Sequence, residues 1–232
     1  ETHLDVVCSR LKSSANVEVE LKQPKINYRE TITRKFQGQG RHKKQTGGRG
    51  QFGDCWVRLE PRERGAGFEF VWEVVGGVIP SNYQKAIEKG IVEAMSRGIQ
   101  AGYPSVDIRA AVYDGSYHAV DSSDLAFQLA AIKAFRTVSV QAGPILIEPI
   151  MNVKVVAPEQ YMGDIMGSLS GKRGRISGSN SINDKAVIEA QVPQSEMTTY
   201  SRELRSMTQG RGTFQMTFSH FEPTPPMVQE QI

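Results

Sequence analysis

The sequence has few of the residues from which disulfide frameworks and metal sites are built. Its 232 residues include only two cysteines, Cys8 and Cys55, and four histidines. Neither the Cys-x-x-Cys nor the His-x-x-x-His spacing of common metal sites occurs, so we expect no bound metal ion. Two isolated thiols are typical of a protein from a reducing, intracellular compartment.

Long apolar runs are also missing. No run approaches the roughly 20 residues needed to span a bilayer, and the N-terminus lacks the basic and apolar regions of a signal peptide. We therefore expect a cytoplasmic protein that does not contact a membrane. Because the first residue is Glu1 rather than Met, we also expect the chain to begin inside a longer protein.

The sequence contains no nucleotide-binding loop. A Walker loop ends in Gly-Lys-Ser/Thr, because backbone amides and the Lys hold phosphate while the hydroxyl holds magnesium. The nearest match runs from Gly167 to Arg173 and places Arg173 at the position of the hydroxyl. We therefore expect this chain to hydrolyse no nucleotide and to have no catalytic residues of its own.

Positive charge is concentrated in two glycine-containing segments, although the formal net charge is only +3. Residues 34–53 contain six Lys or Arg side chains and no acid, and Lys172, Arg173 and Arg175 form a second cluster. Glycine lets a backbone approach a phosphate chain closely, and Lys or Arg displaces its counterions. The pattern favours nucleic-acid contact, with a solvated loop as the simpler alternative.

Hydrophobic periodicity divides the chain into three parts and predicts an α+β protein. A helix with Leu4, Val7 and Leu11 on one face and a strand over Val17 to Leu21 are too little for a core, so we place a boundary near residue 28. Residues 28–144 combine strands with two helices, and residues 145–225 follow the order β-α-β-β-α-β of a ferredoxin-like domain. Residues 226–232 are predicted to be a mobile tail.

Within residues 28–144, the basic glycine-rich segment is predicted to be a loop, and Asp114-Gly115 is predicted to form a turn after a strand. The second helix is predicted to begin at Asp121-Ser-Ser-Asp, where a side chain can cap its free amides. The strands of this part are predicted at 31–36, 52–60, 68–75 and 106–113. The two helices are predicted to begin at Pro80 and near Asp121. The predicted buried face of the second helix carries Leu125, Leu129, Ile132 and Phe135.

The segment from Asp114 to Asp121 could support two kinds of chemistry. Ser116, His118 and Asp121 could form a hydrolytic triad, although such triads are normally assembled from distant segments. Alternatively, Ser116, Tyr117 and His118 project outward, where the aromatic ring and the imidazole stack on bases or bond to ribose hydroxyls, as in many RNA-binding proteins. A third interpretation packs Tyr117 inward and gives His118 no role.

Six segments together resemble the C-terminal half of bacterial elongation factor G, a translocation GTPase. They occur in the family's order and cover nearly the whole chain. The segments are Gln45-Thr-Gly-Gly-Arg-Gly-Gln-Phe-Gly53, Gly76-Gly-Val-Ile-Pro80, Ala101-Gly-Tyr-Pro104, Tyr113-Asp-Gly-Ser-Tyr-His-Ala-Val-Asp-Ser-Ser123, Glu148-Pro-Ile-Met151 and Leu204-Arg-Ser-Met-Thr-Gln-Gly-Arg-Gly212.

The resemblance implies that residues 1–27 end the family's domain III, 28–144 form domain IV and 145–225 form domain V. It also implies that domain IV is an elongated body with a left-handed βαβ crossover, of the type found in ribosomal proteins and GHMP kinases. The general rule for such crossovers is the opposite hand. The family's GTPase domain, with its GTP and magnesium, lies outside this chain.

The same resemblance implies a monomer that binds the ribosome and promotes translocation of transfer RNA and messenger RNA. Two loops of domain IV would enter the decoding-region A site, and domain V would contact ribosomal RNA. The implied domain IV contacts are Lys44, Gln45, Thr46, Gly47, Gly48, Arg49, Asp114, Gly115, Ser116, Tyr117 and His118. The implied domain V contacts are Lys172, Arg173, Arg175, Gln209 and Arg211, some of which could instead tie loops together through carboxylates.

A ribosome-recycling paralogue, a mitochondrial factor or a tetracycline-resistance ribosomal protection protein would share this architecture. Protection proteins differ chiefly in their domain IV loops. The complete run from Tyr113 to His118 therefore favours a translocase.

Overall fold

The computed structural model describes residues 2–20, 22, 24–45, 48, 50–230 and 232. Over these residues the chain alternates strands with helices and builds two sheets, each with its own hydrophobic core. In chain order the helices and strands are α1 (Thr2–Ala15), β1 (Arg29–Ile32), β2 (Phe36–Lys44), β3 (Gln51–Pro61), β4 (Glu69–Trp72), α2 (Gln84–Ser96), β5 (Ile108–Ser116), α3 (Asp124–Gln141), β6 (Pro144–Pro158), α4 (Met162–Gly171), β7 (Arg175–Ile182), β8 (Lys185–Pro193), α5 (Tyr200–Met207), β9 (Thr213–Pro223) and α6 (Pro226–Gln229).

The first sheet has the order β2-β3-β5-β4. Its pairs are antiparallel except β4 and β5, which run parallel and are joined through α2 in a βαβ unit. On β3, Cys55, Val57 and Leu59 are fully buried in the core, because alternate residues of a strand face the same side. The intervening residues lie on the opposite side, which we call the outer face; from β2 and β3 it carries Gln37, Gln39, Arg41, Lys43, Phe52, Asp54, Trp56 and Arg58.

Helix α3 lies very close to this sheet because small residues meet at the contact. A Cβ atom added to Gly40 would fall 2.2 Å from the backbone oxygen of Ala130, and one added to Gly53 would fall 2.4 Å from that of Ala126. The predicted buried face of this helix is therefore partly wrong. Leu125 is 56% exposed, since alanines occupy the side that meets the glycines.

The second sheet confirms the ferredoxin-like prediction. Strands β6, β7, β8 and β9 are antiparallel in the order β9-β6-β8-β7. Ile165 and Leu169 of α4 and Tyr200 and Leu204 of α5 are buried against one side of this sheet. Strand β1 extends the same sheet by pairing with the first four residues of β6. We call residues 28–144 the first unit and residues 145–225 the second unit; through β1, the start of the first unit is tied to the second sheet.

Several local predictions are wrong, because pairing with other segments decides whether a segment forms a strand. Residues 17–20 form no strand, because they have no neighbouring strand to pair with; Leu21 lies outside the described residues. The basic segment is largely the β2–β3 hairpin rather than a loop. Asp114 and Gly115 continue β5 instead of turning. Pro226–Gln229, within the predicted tail, form the short helix α6, and the mobility of the tail stays a prediction.

Candidate nucleic-acid interface

The turn between β2 and β3 and the loop between β5 and α3 lie side by side. The Gly50 amide donates to a carboxylate oxygen of Asp121 at 3.1 Å, and the Phe52 amide donates to the Asp121 carbonyl oxygen at 2.8 Å. Two segments that the sequence separates by about seventy residues therefore form one surface, as the resemblance implies. We call residues 44–50 and 117–123 the loop pair; of the predicted contacts, Thr46, Gly47 and Arg49 lie outside the described residues.

Hydrogen bonds within the loop fix the position of His118. Its amide donates to the Ser122 hydroxyl at 2.9 Å, and its Nδ1 accepts from the amides of Asp121 and Val120 at 3.3 and 3.4 Å. The same Nδ1 lies 3.5 Å from a carboxylate oxygen of Asp121. The side chain of His118 is 57% exposed, which leaves its outer edge accessible to a partner.

The start of α3 fixes the far end of this loop. The Ser123 hydroxyl accepts from the Ala126 amide at 3.2 Å, which confirms the predicted N-terminal cap. Because α3 is held against β2 and β3 by the glycine contacts, the loop is attached to a rigid support at both ends. The position of the loop pair thus depends mainly on backbone contacts.

The predicted loop residues divide into an outward group and an inward group. Tyr117 is 48% exposed, so it projects outward as predicted and the alternative interpretation, inward packing, is wrong. Lys44, Gln45 and Gly48 are also exposed. Gly115, by contrast, has no room for a side chain, because an added Cβ would fall 2.3 Å from the Asp54 carbonyl oxygen.

The hydrolytic triad is not assembled. The Ser116 hydroxyl does not project outward as predicted, because it donates to a carboxylate oxygen of the buried Asp54 at 2.7 Å. The other Asp54 oxygen accepts from the Gln39 side-chain amide at 2.7 Å. No hydrogen bond joins Ser116 to His118 among the described residues, whereas nucleophilic activation needs a base within hydrogen-bonding reach. Sequence reasoning missed Asp54, although its place between Phe52 and Trp56 on an alternating strand indicated the outer face.

The second basic cluster is paired with carboxylates. Arg173 binds both oxygens of Glu148 at 2.6 and 3.0 Å and also Glu196 at 2.9 Å. The Glu148 side chain is only 3% exposed, and its hydrogen bonds are the main cause that raises the pKa of Arg173. This contact ties β6 to the turn after α4, which was the alternative interpretation of the cluster.

The remaining predicted cations of this unit are also engaged. Lys172 lies 2.9 Å from Glu203, and Arg175 forms an ion pair with Glu222. These carboxylates leave less free positive charge in this cluster than at the loop pair.

Gln209 and Arg211 lie on the turn between α5 and β9. Gln209 and Gly210 both have positive φ angles, 53° and 79°, which explains the Gly at the second position. The Arg211 guanidinium donates to the Tyr161 hydroxyl at 2.6 Å and lies 5.3 Å from the centre of that ring. Gln209 and Arg211 are both exposed, so this turn is accessible to a partner.

Within the described part of the chain, no three His, Cys, Asp or Glu side chains are grouped closely enough to hold a metal ion. No helix there is long and apolar enough to cross a membrane.

Comparison with known proteins places these observations in a family. A family model described as elongation factor G, domain IV, matches residues 24–143, and one described as elongation factor G C-terminus matches residues 145–232. A crystal structure of a protein from Thermus thermophilus superposes with a TM-score of 0.91 at 47% sequence identity. It matches 100% of this chain, which in turn covers 34% of that protein. The chain therefore belongs to the elongation factor G family and carries its domain IV and C-terminal domain.

Proposed function

We propose that this chain is the ribosome-binding C-terminal part of a translation elongation factor that promotes GTP-dependent translocation of transfer RNA and messenger RNA. Residues 1–27 would end domain III, residues 28–144 would be domain IV and residues 145–225 domain V. The parent protein would be a cytoplasmic, monomeric GTPase that binds GTP and magnesium in a domain outside this chain. The run from Tyr113 to His118 favours a translocase over a ribosomal protection protein.

The observation that carries the proposal is the assembly of the loop pair. It brings the imidazole of His118 and the ring of Tyr117 next to the end of the β2–β3 hairpin, where Lys43 and Lys44 are exposed on opposite sides of the strand and have no ion pair among the described residues. Planar side chains and unpaired cations are the groups with which proteins bind RNA bases, ribose and phosphate. Within the proposal, the loop pair enters the decoding-region A site.

The ribosomal RNA contacts proposed for domain V have weaker support. Arg211 and Gln209 are exposed on a turn and suit such a contact. Lys172, Arg173 and Arg175 are ion-paired with carboxylates, so less of their positive charge is available to attract RNA. We therefore assign most of the electrostatic attraction to the loop pair.

The first test is ribosome co-sedimentation of the chain over a salt series. A variant with Lys43→Ala, Lys44→Ala and Arg49→Ala is compared with a control that loses the same charge on exposed helix positions, Lys85→Ala, Lys89→Ala and Arg136→Ala. Each phosphate contact contributes about 0.7–0.9 to the slope of log affinity against log salt. We expect the loop-pair variant to bind more weakly and with a slope smaller by about 2–3, while the control stays close to the unsubstituted chain. Equal losses in both variants would contradict the proposed site.

A second test separates translocation from GTP hydrolysis in the full-length parent protein. His118→Ala should slow translocation and leave hydrolysis largely intact, because His118 would act at the RNA and not at the nucleotide. Loss of hydrolysis with normal translocation would rule out this role.

A further inference from the structure

Three planar side chains line up where the loop pair meets the outer face of the first sheet. The Arg41 guanidinium carbon lies 5.3 Å from the centre of the Phe52 ring, and the His118 ring lies 6.3 Å from that centre. The three residues come from β2, β3 and the loop before α3, so the Phe52 ring links the β2–β3 hairpin to that loop.

Arg41 is the arginine of this face that has no ion pair among the described residues. Arg58 lies over Tyr113 in a similar way, at 5.8 Å, but it binds both oxygens of Glu73 at 2.8 Å and one of Glu60 at 2.9 Å. The Arg58 side chain is 18% exposed, whereas Arg41 is an exposed residue. Both arginines therefore lie over an aromatic ring, but carboxylates neutralise the guanidinium charge of Arg58 and not that of Arg41.

The surroundings of Arg41 favour an anionic partner. Lys43 follows it on the outer face, two residues closer to the loop pair and opposite Phe52. The carboxylate of Asp54, which is opposite Arg41, accepts hydrogen bonds from the neutral Ser116 and Gln39 and forms no ion pair with Arg41 among the described residues. Positive charge therefore extends from the loop pair along β2 to Lys43 and Arg41 on the outer face.

We propose that Arg41 is a further nucleic-acid contact, which binds a backbone phosphate of RNA, and that Phe52 is a positioning residue that holds the Arg41 guanidinium and the His118 ring in one row. This inference rests on the proposed function and extends its contact surface from the loops to the outer face of β2. The face of an aromatic ring attracts a guanidinium and restricts its orientations, which leaves the outer N–H groups directed at the partner.

The experiment measures ribosome binding by this chain over a salt series for Arg41→Gln, Arg41→Lys and Phe52→Leu. Arg136→Gln is the matched control, since Arg136 is an exposed arginine of α3 in the layer of helices. Thermal unfolding of each variant verifies that it is folded, and Arg41→Gln, at an exposed position, keeps the test valid if Phe52→Leu does not fold.

A phosphate contact at Arg41 lowers the salt slope by about 0.7–0.9 in Arg41→Gln, whereas Arg41→Lys restores the slope because it keeps the charge. Phe52→Leu keeps every charge, so it weakens binding about two- to fivefold without changing the slope. In the Arg41→Gln background the same Phe52 substitution has a smaller effect, because the contact it supports is gone.

The outcomes separate this inference from the proposed function. If the unsubstituted chain does not bind ribosomes at low salt, the proposed function fails and this inference fails with it. If the chain binds and Arg41→Gln has the slope and affinity of Arg136→Gln, only the role of Arg41 is overturned. If the effect of Phe52→Leu is the same with and without Arg41, the positioning role of Phe52 is overturned.

Discussion

A single buried carboxylate, that of Glu30 in β1, fixes the loop that follows α2. One of its oxygens accepts from the amides of Ile99 and Gln100 at 3.0 and 2.8 Å, and the other accepts from those of Ala101 and Tyr103 at 3.1 and 3.0 Å. Glu30 is only 2% exposed, so water cannot replace these bonds. We predict that Glu30→Gln, which keeps the size and shape of the side chain, strongly destabilises the first unit.

The magnitude follows from the geometry. Whichever way the Gln amide is turned, its nitrogen faces two backbone N–H groups that then have no acceptor. A buried donor without a partner costs about 1–3 kcal/mol, so the free energy of unfolding should fall by about 2–6 kcal/mol. With an m-value of about 2 kcal/mol/M, the urea midpoint should fall by about 1–3 M.

Tryptophan fluorescence is the suitable assay, because both tryptophans, Trp56 and Trp72, lie in β3 and β4 of this unit. Glu63→Gln is the control, since Glu63 is exposed and has no ion pair among the described residues. A midpoint for Glu30→Gln within about 0.3 M of the control, which corresponds to about 0.5 kcal/mol, would refute the reasoning.

Three further predictions concern stability and reactivity. Burial raises the pKa of the Cys55 thiol to about 12, so at pH 8 a thiol reagent should label Cys8 in the native chain and Cys55 only after unfolding, as mass spectrometry of the labelled chain would show. Gly40→Ala should lower the urea midpoint by about 0.5–1.5 M, because the new Cβ would collide with the backbone of α3, and overpacking costs about 1–3 kcal/mol. The Lys172 ammonium, followed by the Thr199 hydroxyl, lowers the pKa of Glu203. A carboxylate with a lowered pKa stabilises the fold above its unfolded pKa of about 4.3 and loses that contribution as the pH falls through the folded value. The difference in melting temperature between the unsubstituted chain and Lys172→Met, followed by circular dichroism, should therefore be present at pH 7 and disappear in acid.

The elements that the sequence predicts correctly are those whose signals are local. Pro158 precedes the turn that leads into α4, the Asn183-Asp184 turn separates β7 from β8, and Ser123 caps α3. Each of these features depends on the conformational preference of one or two residues. Together they give the element order of the second unit and hence its ferredoxin-like topology.

The errors arise where contacts between distant segments decide the outcome. The segment from Phe36 to Lys44 has three cations and two glycines, which is a loop composition, yet it forms a strand because it pairs with β3 along its whole length. The buried face of α3 is set by the glycines it meets, which no periodicity within the helix can show. Asp54 and Glu30 were likewise missed, since a lone acid in a strand does not indicate which amides or hydroxyls the fold will bring to it.

The two basic clusters of this chain differ in whether their cations stabilise the fold. This difference determines how substitutions in each cluster should be interpreted. At the loop pair, the bonds of two backbone amides to Asp121 and the close approach of α3 hold the structure, while Lys44 and the neighbouring Lys43 form no ion pair among the described residues. A substitution of either lysine therefore changes binding with little change in stability. Arg173, in contrast, neutralises a buried Glu148, and removing one partner of such a pair typically costs about 3–5 kcal/mol. A loss of ribosome binding in an Arg173 variant would consequently report a change in fold. Substitutions at the loop pair and the neighbouring outer face, in contrast, allow the effect on binding to be separated from the effect on stability.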